Sequence, residues 1–242
     1  MLTNADRANK IRLGFSTGCL YKSEPSIIRR LEILKDIGCK TVELGFVKLA
    51  GFWNEIDEVT SKPEVLEYFD YVSLHAPIAP YDFDNTTINI FRNISRLNAI
   101  RELNLVVFHP DTVRDFRVFS SWAPAINLVF AFENMDNRKR SYRFLDEMIT
   151  LAERWPDTFK MVLDVNHAFS NDPTALLTKN FRYFLGKKIV QVHLSGYRNG
   201  HVPLFETRQA EIIRSIRDIN APIIVESVLA SDQLTQERDY IL

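Results

Sequence analysis

Histidines and carboxylates lie close to the ends of short apolar segments throughout this 242-residue chain. The segment MVLDVNH, residues 161–167, is an example, because apolar residues lead into Asp164, Asn166 and His167. Desolvating a carboxylate and an imidazole is costly unless the two are paired or bind a metal. Imidazole and carboxylate together suit Zn²⁺, Mn²⁺ or a similar divalent ion. We therefore predict a divalent-metal site that draws its ligands from the following set: His75, His109, Glu133, Asp164, His167, His193, His201 and Glu226.

The intervals between these residues have the length of one strand–helix unit. Successive intervals are 34, 24, 31, 29 and 33 residues along the series His75, His109, Glu133, Asp164, His193 and Glu226. Each residue would therefore occur once per unit, at the same end of its strand. A single histidine after an apolar run is more often a hydrogen-bonded core residue, and a single carboxylate there is often a helix cap. A common site explains the whole set better than separate structural roles do.

The elements that would position these residues alternate along the chain. Near-continuous apolar runs, typical of parallel strands buried on both faces, occur at 11–16, 40–46, 71–76, 105–109, 128–134, 160–165, 189–195 and 222–227. Amphipathic helical patterns lie between them at 26–38, 88–104, 141–155, 172–186 and 205–220, with less regular ones at 55–69, 111–124 and 231–242. This order predicts a single (β/α)8 TIM barrel over residues 1–242, in which the carboxyl ends of the strands carry the site. An open doubly wound sheet is the alternative, but no glycine-rich phosphate loop follows the first strand.

Composition restricts the classes of partner. The formal net charge is −1, which gives no global attraction to nucleic acid or to an anionic membrane. No apolar run is long enough to span a membrane, and the N-terminal ten residues are polar and lack the apolar core of a signal peptide. Cys19 and Cys39 are too few for a disulfide framework. We therefore predict reduced thiols and a cytoplasmic protein.

With these residues in place, the sequence resembles the xylose isomerase-like TIM-barrel superfamily, which includes sugar isomerases, sugar epimerases and endonuclease IV enzymes. IGCKTVELGF, residues 37–46, resembles the second strand of that family with its Val-Glu-Leu, and the residues at the strand ends follow in the family's order. The epimerase branch implies one metal held by Glu133, Asp164, His193 and Glu226. The resemblance further implies that the two glutamates move the proton and that His167 contacts the substrate.

The endonuclease branch implies additional metals. His75 and His109 match its first ligand pair, and Glu133 would bridge two ions. His167 and His201 would hold a third ion together with an Asp two residues before the last histidine. The sequence here is NGH, so Asn199 stands at that position and offers a weaker ligand. The third metal site is therefore expected to be weak or empty. The longer loops expected for contacts with DNA are also absent from the sequence.

Two functions follow from these observations. The first is a sugar or sugar-phosphate isomerase or epimerase that uses one divalent metal, with Zn²⁺ and Mn²⁺ both suitable, and proceeds through a metal-stabilised enediolate. The second is a multi-metal phosphodiesterase that cleaves abasic sites. Substrate-binding candidates for the first function are His201, Arg198, Asn199 and Trp53.

The aromatic residues Phe181, Tyr183 and Phe184 lie together on one predicted helix and could pack against a second copy in a homo-oligomer.

Overall fold

Eight parallel strands form a closed barrel in the computed structural model, which describes residues 12–46, 48–126, 128–155 and 158–242. The barrel strands are β1 Leu13–Ser16, β2 Thr41–Gly45, β3 Tyr71–His75, β4 Leu105–Phe108, β5 Phe130–Glu133, β6 Met161–Asp164, β7 Ile189–Leu194 and β10 Ile223–Val225. Each strand pairs with the next barrel strand along the chain, and β1 pairs with both β2 and β10. This closure confirms the predicted (β/α)8 TIM barrel. The polar N-terminal stretch lies outside the described residues, and the assignment of residues 1–242 to one domain stays a prediction.

Helices follow every barrel strand in the described part of the chain. They span Ile27–Asp36, Leu49–Ser61, Asn85–Ile100, Arg117–Ile126, Leu145–Arg154, Val165–Asn171, Leu176–Leu185, Leu204–Thr207, Ala210–Ile216 and Leu234–Ile241. A short hairpin, β8 Gly196–Tyr197 and β9 His201–Val202, follows β7. None of the helices among the described residues has the length and apolar character needed to cross a lipid bilayer.

The first helix shows how local sequence sets these elements. Its N-cap Ser26 accepts a hydrogen bond from the backbone N–H of Arg29 at 3.3 Å. Leu31 and Leu34 are fully buried on the face toward the strands. Gly38 follows the helix with φ 78°, a left-handed conformation that glycine adopts at little cost. The chain can therefore turn directly into β2.

Close packing between β1 and β2 depends on Gly14. A Cβ atom added at Gly14 would lie 2.0 Å from the backbone oxygen of Thr41. No side chain fits in that space without movement of the neighbouring strand. Gly14 is therefore required by the distance between the two strands.

Polar side chains cross the interior of the barrel. Glu43 on β2 contacts Gln191 and His193 on β7, although β1 and β10 lie between β2 and β7 in the strand order. Because these strands are not neighbours, the contact can run only through the interior. Alternate residues of a strand point to the same face. A residue at a strand end that lies two positions after an interior-facing residue therefore points into the barrel interior as well.

The aromatic group proposed for oligomer contacts divides in two. Phe181 is fully buried in the core, whereas Tyr183 and Phe184 are 83% and 59% exposed. Only the last two can contact a second chain, so homo-oligomerisation stays a prediction. Cys19 and Cys39 are both free and buried, while the cytoplasmic location stays a prediction as well.

Candidate functional site

The carboxyl ends of the barrel strands bring the predicted ligands together. His75, Glu133 and Asp164 are the last residues of β3, β5 and β6, while His109 and Glu226 directly follow β4 and β10. Three groups have donor atoms that all lie within 4.8 Å of one another: His75, His109 and Glu133; Glu133, Asp164, His193 and Glu226; and Asp164, His167 and His201. Every residue of the set singled out from the sequence belongs to at least one group.

Glu133 lies at the centre of the site. Its Oε2 is 3.2 Å from Nε2 of His75 and 3.4 Å from Nε2 of His109. Its Oε1 is 3.1 Å from Nδ1 of His167 and 3.5 Å from Nδ1 of His193. One carboxylate therefore contacts four imidazoles that lie near the ends of β3, β4 and β7 and in the helix after β6, and it is shared by two of the candidate metal groups.

The four-residue group has the orphaned donors expected of a metal site. Oε1 of Glu133 and Nδ1 of His193 are buried and have no hydrogen-bond partner. Nδ1 of His193 is 3.5 Å from both Glu133 Oε1 and Glu226 Oε2. Leaving such buried atoms without a hydrogen bond is costly, and a divalent cation would satisfy them together. The donor set of three carboxylates and one imidazole fits Zn²⁺ or Mn²⁺.

The pair His75 and His109 is arranged for a second ion. Nδ1 of His75 is 3.0 Å from the backbone oxygen of Ala76 and can donate to it, which leaves Nε2 free toward Glu133. The two rings are 4.8 Å apart, and Nδ1 of His109 is buried without a hydrogen-bond partner. With the bridging carboxylate of Glu133, these imidazoles supply three donors for a second cation.

Asp164 holds the third group in position. Its Oδ1 caps the helix Val165–Asn171 by accepting from the backbone N–H of His167 at 2.7 Å. The side chain of Asn134 bonds both backbone groups of Asp164 at 2.9 Å. Nδ1 of His167 is 2.9 Å from the backbone oxygen of Asn134 and can donate to it. These bonds leave Nε2 of His167 directed toward the cavity near His201.

The electrostatics of the site follow from burial and close opposite charges. Burial lowers the pKa of His75 and His167, but the nearby carboxylates outweigh it and raise these values to about 9 and about 10. Burial, together with Glu133 and Glu43, raises the pKa of Glu226 to about 7. Burial also raises the pKa of Glu133, yet the imidazoles around it reverse the effect and hold the value well below its usual range.

A cavity of about 610 Å³ opens above these residues. This volume is within the range of small-molecule sites. The lining includes His75, His109, Glu133, His167, His201 and Glu226. Arg138 and Lys139, from the loop after β5, line the wall and are paired with Asp136 and Asp111. This basic wall was missed in the sequence, although the run NRKR at 137–140, shortly after the FEN motif, was a usable signal.

Three predicted substrate-binding residues lie away from the cavity lining. The indole of Trp53 packs edge-on against Phe52 at 4.9 Å and contacts the hydrophobic core. Arg198 and Asn199 are exposed at the tip of the β8–β9 hairpin. Asn199 has φ 59°, a conformation that asparagine tolerates well in tight turns. Its geometry therefore accounts for asparagine at this position, and the carboxylate of the third group is Asp164.

Glu43 is a further residue of the site that sequence reasoning missed. It is fully buried in the barrel, and its Oε2 is 3.0 Å from Nε2 of His193. The Val-Glu-Leu motif supports the family resemblance, but a contact across the barrel interior has no signal in local sequence. A charged residue inside a buried strand was the available sign.

No protein-family model and no curated protein matches the chain, whereas solved structures do. A probable 3-DHS dehydratase of petrobactin synthesis from Bacillus anthracis matches with TM-score 0.67 at 16% identity, over 94% of this chain and 97% of that one. An AP endonuclease, family 2, from Brucella melitensis matches with TM-score 0.66 at 12% identity, over 95% and 99%. A 3-keto-D-glucoside 4-epimerase from E. coli matches with TM-score 0.62 at 15% identity, over 96% and 98%.

Proteins described as having xylose isomerase domains match over similar lengths. The chain therefore has the xylose isomerase-like (β/α)8 fold, as the resemblance of its sequence implied. Identities this low show the fold alone, and the structures that share it act in different ways.

Proposed function

We propose that this protein is a divalent-metal-dependent isomerase or epimerase of a sugar or sugar phosphate. The observation that carries the proposal is the placement of two glutamates in one metal group. Glu133 and Glu226 come from strands that are separated by two others in the barrel, and both face Nδ1 of His193 at 3.5 Å. A substrate held at the cation would therefore have two carboxylates next to it.

The cation would be held by Glu133, Asp164, His193 and Glu226. Bound there, a divalent ion supplies Lewis-acid stabilisation of the negative charge on the substrate oxygens of an enediolate. One glutamate removes the proton next to the substrate carbonyl, and the other returns a proton to the opposite face or to the neighbouring carbon. His167 and His201 line the cavity beside them and would bind substrate hydroxyls.

The wall of the cavity supports an oxygen-rich substrate. Arg138 and Lys139 line it on the loop that directly follows Glu133. These side chains would bind hydroxyls or a phosphate group, the role that the sequence suggested for Arg198. A cavity of about 610 Å³ is large enough for a monosaccharide or its phosphate.

A second candidate function is phosphodiester hydrolysis with two or more metals. The specific observation in its favour is the group His75, His109 and Glu133, which supplies donors for a second ion next to the first. Adjacent cations could clamp a phosphate between attacking and leaving oxygens. A structure of similar fold is an AP endonuclease.

Proton exchange separates the two functions, because it can be detected whichever product is formed. The metal-loaded protein would be incubated in deuterium oxide with a panel of aldoses, ketoses and their phosphates, and exchange next to the carbonyl followed by NMR. We expect exchange with at least one member, its loss in Glu226→Gln, and retention in Glu237→Gln. Glu237 is a fully buried glutamate outside the site, and its partners are Leu204, Phe205 and Ser227.

Metal content and hydrolysis complete the test. Elemental analysis showing one tightly bound ion per chain supports the isomerase. Two or three ions, together with cleavage of an abasic-site duplex and no exchange on any sugar, would overturn the proposed function in favour of the phosphodiesterase.

A further inference from the structure

A fully buried carboxylate lies next to the metal group and takes no part in the chemistry proposed above. Glu43 on β2 directs its Oε2 across the barrel interior. That oxygen accepts hydrogen bonds from Nε2 of Gln191 at 2.6 Å and from Oγ of Ser73 at 3.2 Å. It also lies 3.0 Å from Nε2 of His193. The question is what this charge does at the centre of a barrel.

The contact with Glu43 determines which nitrogen of His193 carries the proton. Nε2 of His193 also lies 2.9 Å from the amide nitrogen of Gln191, which donates its shorter bond to Glu43 at 2.6 Å. An ionised carboxylate only accepts hydrogen bonds, so the 3.0 Å contact with Glu43 requires Nε2 of His193 to donate. In a neutral imidazole the other nitrogen, Nδ1, then has the free lone pair. Nδ1 is the nitrogen that lies 3.5 Å from Glu133 Oε1 and Glu226 Oε2. The contact therefore presents the lone pair of His193 to the metal group.

Gln191 and Tyr71 fix the carboxylate of Glu43 in turn. The hydroxyl of Tyr71 donates to Oε1 of Gln191 at 3.0 Å. This bond orients the amide so that its NH₂ group faces Glu43 and donates to it. The chain of contacts from Tyr71 to His193 is buried throughout, so solvent cannot replace any of its members.

The second oxygen of Glu43 argues against a role in packing alone. Oε1 is buried and has no hydrogen-bond partner. A buried charge with one unpaired oxygen is costly, and a neutral side chain of similar size would cost less. The negative charge is accounted for if it acts on a ligand of a cation, because a carboxylate that accepts from a metal-bound histidine orients the ring and raises its basicity.

We propose that Glu43 is a positioning residue of the metal site, holding His193 with the proton on Nε2 and the lone pair of Nδ1 toward the cation. The proposal rests on the proposed metal group but not on the reaction. Loss of the Glu43 carboxylate should weaken binding of the ion. It should also allow the imidazole of His193 to adopt either tautomer, whichever substrate the protein acts on.

The test compares zinc affinity in folded variants by competition with a chromophoric chelator. Glu43→Gln keeps the shape and removes the charge, and we expect zinc to bind about 10-fold more weakly. Glu43→Met removes the acceptor as well, and we expect a loss of about 100-fold. Glu237→Gln, which changes a buried glutamate elsewhere in the barrel, should bind zinc as the wild type does. Circular dichroism establishes that each variant compared is folded.

Long-range nitrogen–proton NMR detects the protonation of the His193 ring directly, which would not change if Glu43 served only for packing. In the zinc-loaded wild type, the proton of His193 should reside on Nε2, and in folded Glu43→Gln this resonance should shift or broaden. Wild-type zinc affinity in Glu43→Gln, or zinc bound through Nε2, would overturn the proposal even if Glu43→Met does not fold. A wild type that binds no divalent ion would overturn both this proposal and the metal site. Weakened binding in the Glu43 variants without sugar exchange would support this proposal and overturn only the proposed reaction.

Discussion

Neutralising Glu133 in the metal-stripped protein should change how stability depends on pH. Without a cation, the carboxylate of Glu133 is the common partner of His75 and His167 at 3.2 and 3.1 Å. The folded pKa values of these histidines are about 9 and about 10, against 6.5 in an unfolded chain. Groups with raised values stabilise the fold fully below pH 6.5, and this stabilisation is lost as pH rises through the folded pKa. Glu133→Gln removes the carboxylate that raises the pKa of both histidines.

The size of the effect follows from the same values. At about 1.4 kcal/mol per pKa unit, the raised pKa of His75 corresponds to about 3 kcal/mol of folding stability and that of His167 to about 5 kcal/mol. Glu133 supplies only part of this, because Glu43 also attracts His75 and Asp164 also attracts His167. Breaking a buried ion pair by removing one partner costs about 3–5 kcal/mol. We therefore expect Glu133→Gln to lose about 3 kcal/mol near pH 6 and much less near pH 10.

Urea denaturation of chelator-treated protein across this pH range measures the difference. The stability of the wild type should fall between about pH 7 and about pH 10, whereas that of Glu133→Gln should change less. Glu237→Gln is the matched control, because its carboxylate bonds two backbone amides and a serine. Its cost should be similar at both ends of the range. Parallel curves for the wild type and Glu133→Gln would refute the reasoning, since the histidines would then not depend on this carboxylate.

Three further predictions concern the metal and the barrel. Binding of Zn²⁺ near neutral pH should release protons from the histidines with raised pKa, so the calorimetric enthalpy should depend on the ionisation enthalpy of the buffer. Asp164→Ala should lose most of the bound metal by elemental analysis, and the lost helix cap should lower the free energy of unfolding by about 1 kcal/mol. Asp172→Ala, which removes a turn-capping carboxylate nearby, should keep the metal. Gly14→Ala should cost about 2 kcal/mol or more in urea denaturation because of the clash at 2.0 Å, whereas Gly51→Ala, with open space in a helix, should gain about 0.5–1 kcal/mol.

The barrel was predictable because its strands carry a strong signal. Each barrel strand is a near-continuous apolar run, and all eight barrel strands lie within the predicted runs. The strand ends then placed the ligands, because a parallel barrel directs all its carboxyl ends to one face. The site could be predicted to that extent from periodicity and residue type alone.

The departures occur where short-range geometry overrides the pattern. The segment after Asp164 forms the helix Val165–Asn171, which the hydrophobic pattern did not indicate, because the carboxylate that ends the strand also caps the next turn. The helix expected to begin at Asp172 begins at Leu176, after Ala175 adopts φ 59°. Asp172 instead accepts bonds from Thr174 and Leu177, which folds a turn before the helix. Such local competition of side chains for backbone groups is not visible in hydrophobic periodicity.

Contacts across the barrel interior are harder to predict from sequence than the strands are. They connect the stability of the fold to the proposed chemistry. Glu43, Glu133 and Asp164 are all at most 1% exposed, and the side chain of Glu226 is 17% exposed. Four carboxylates so close together repel one another, and burial adds a desolvation cost. In the absence of a cation, imidazoles must hold protons to compensate, which explains why the pKa of His75 rises despite burial. A divalent ion replaces those protons and frees the imidazole lone pairs to act as ligands, so the same charges that destabilise the metal-free protein provide the affinity for the metal.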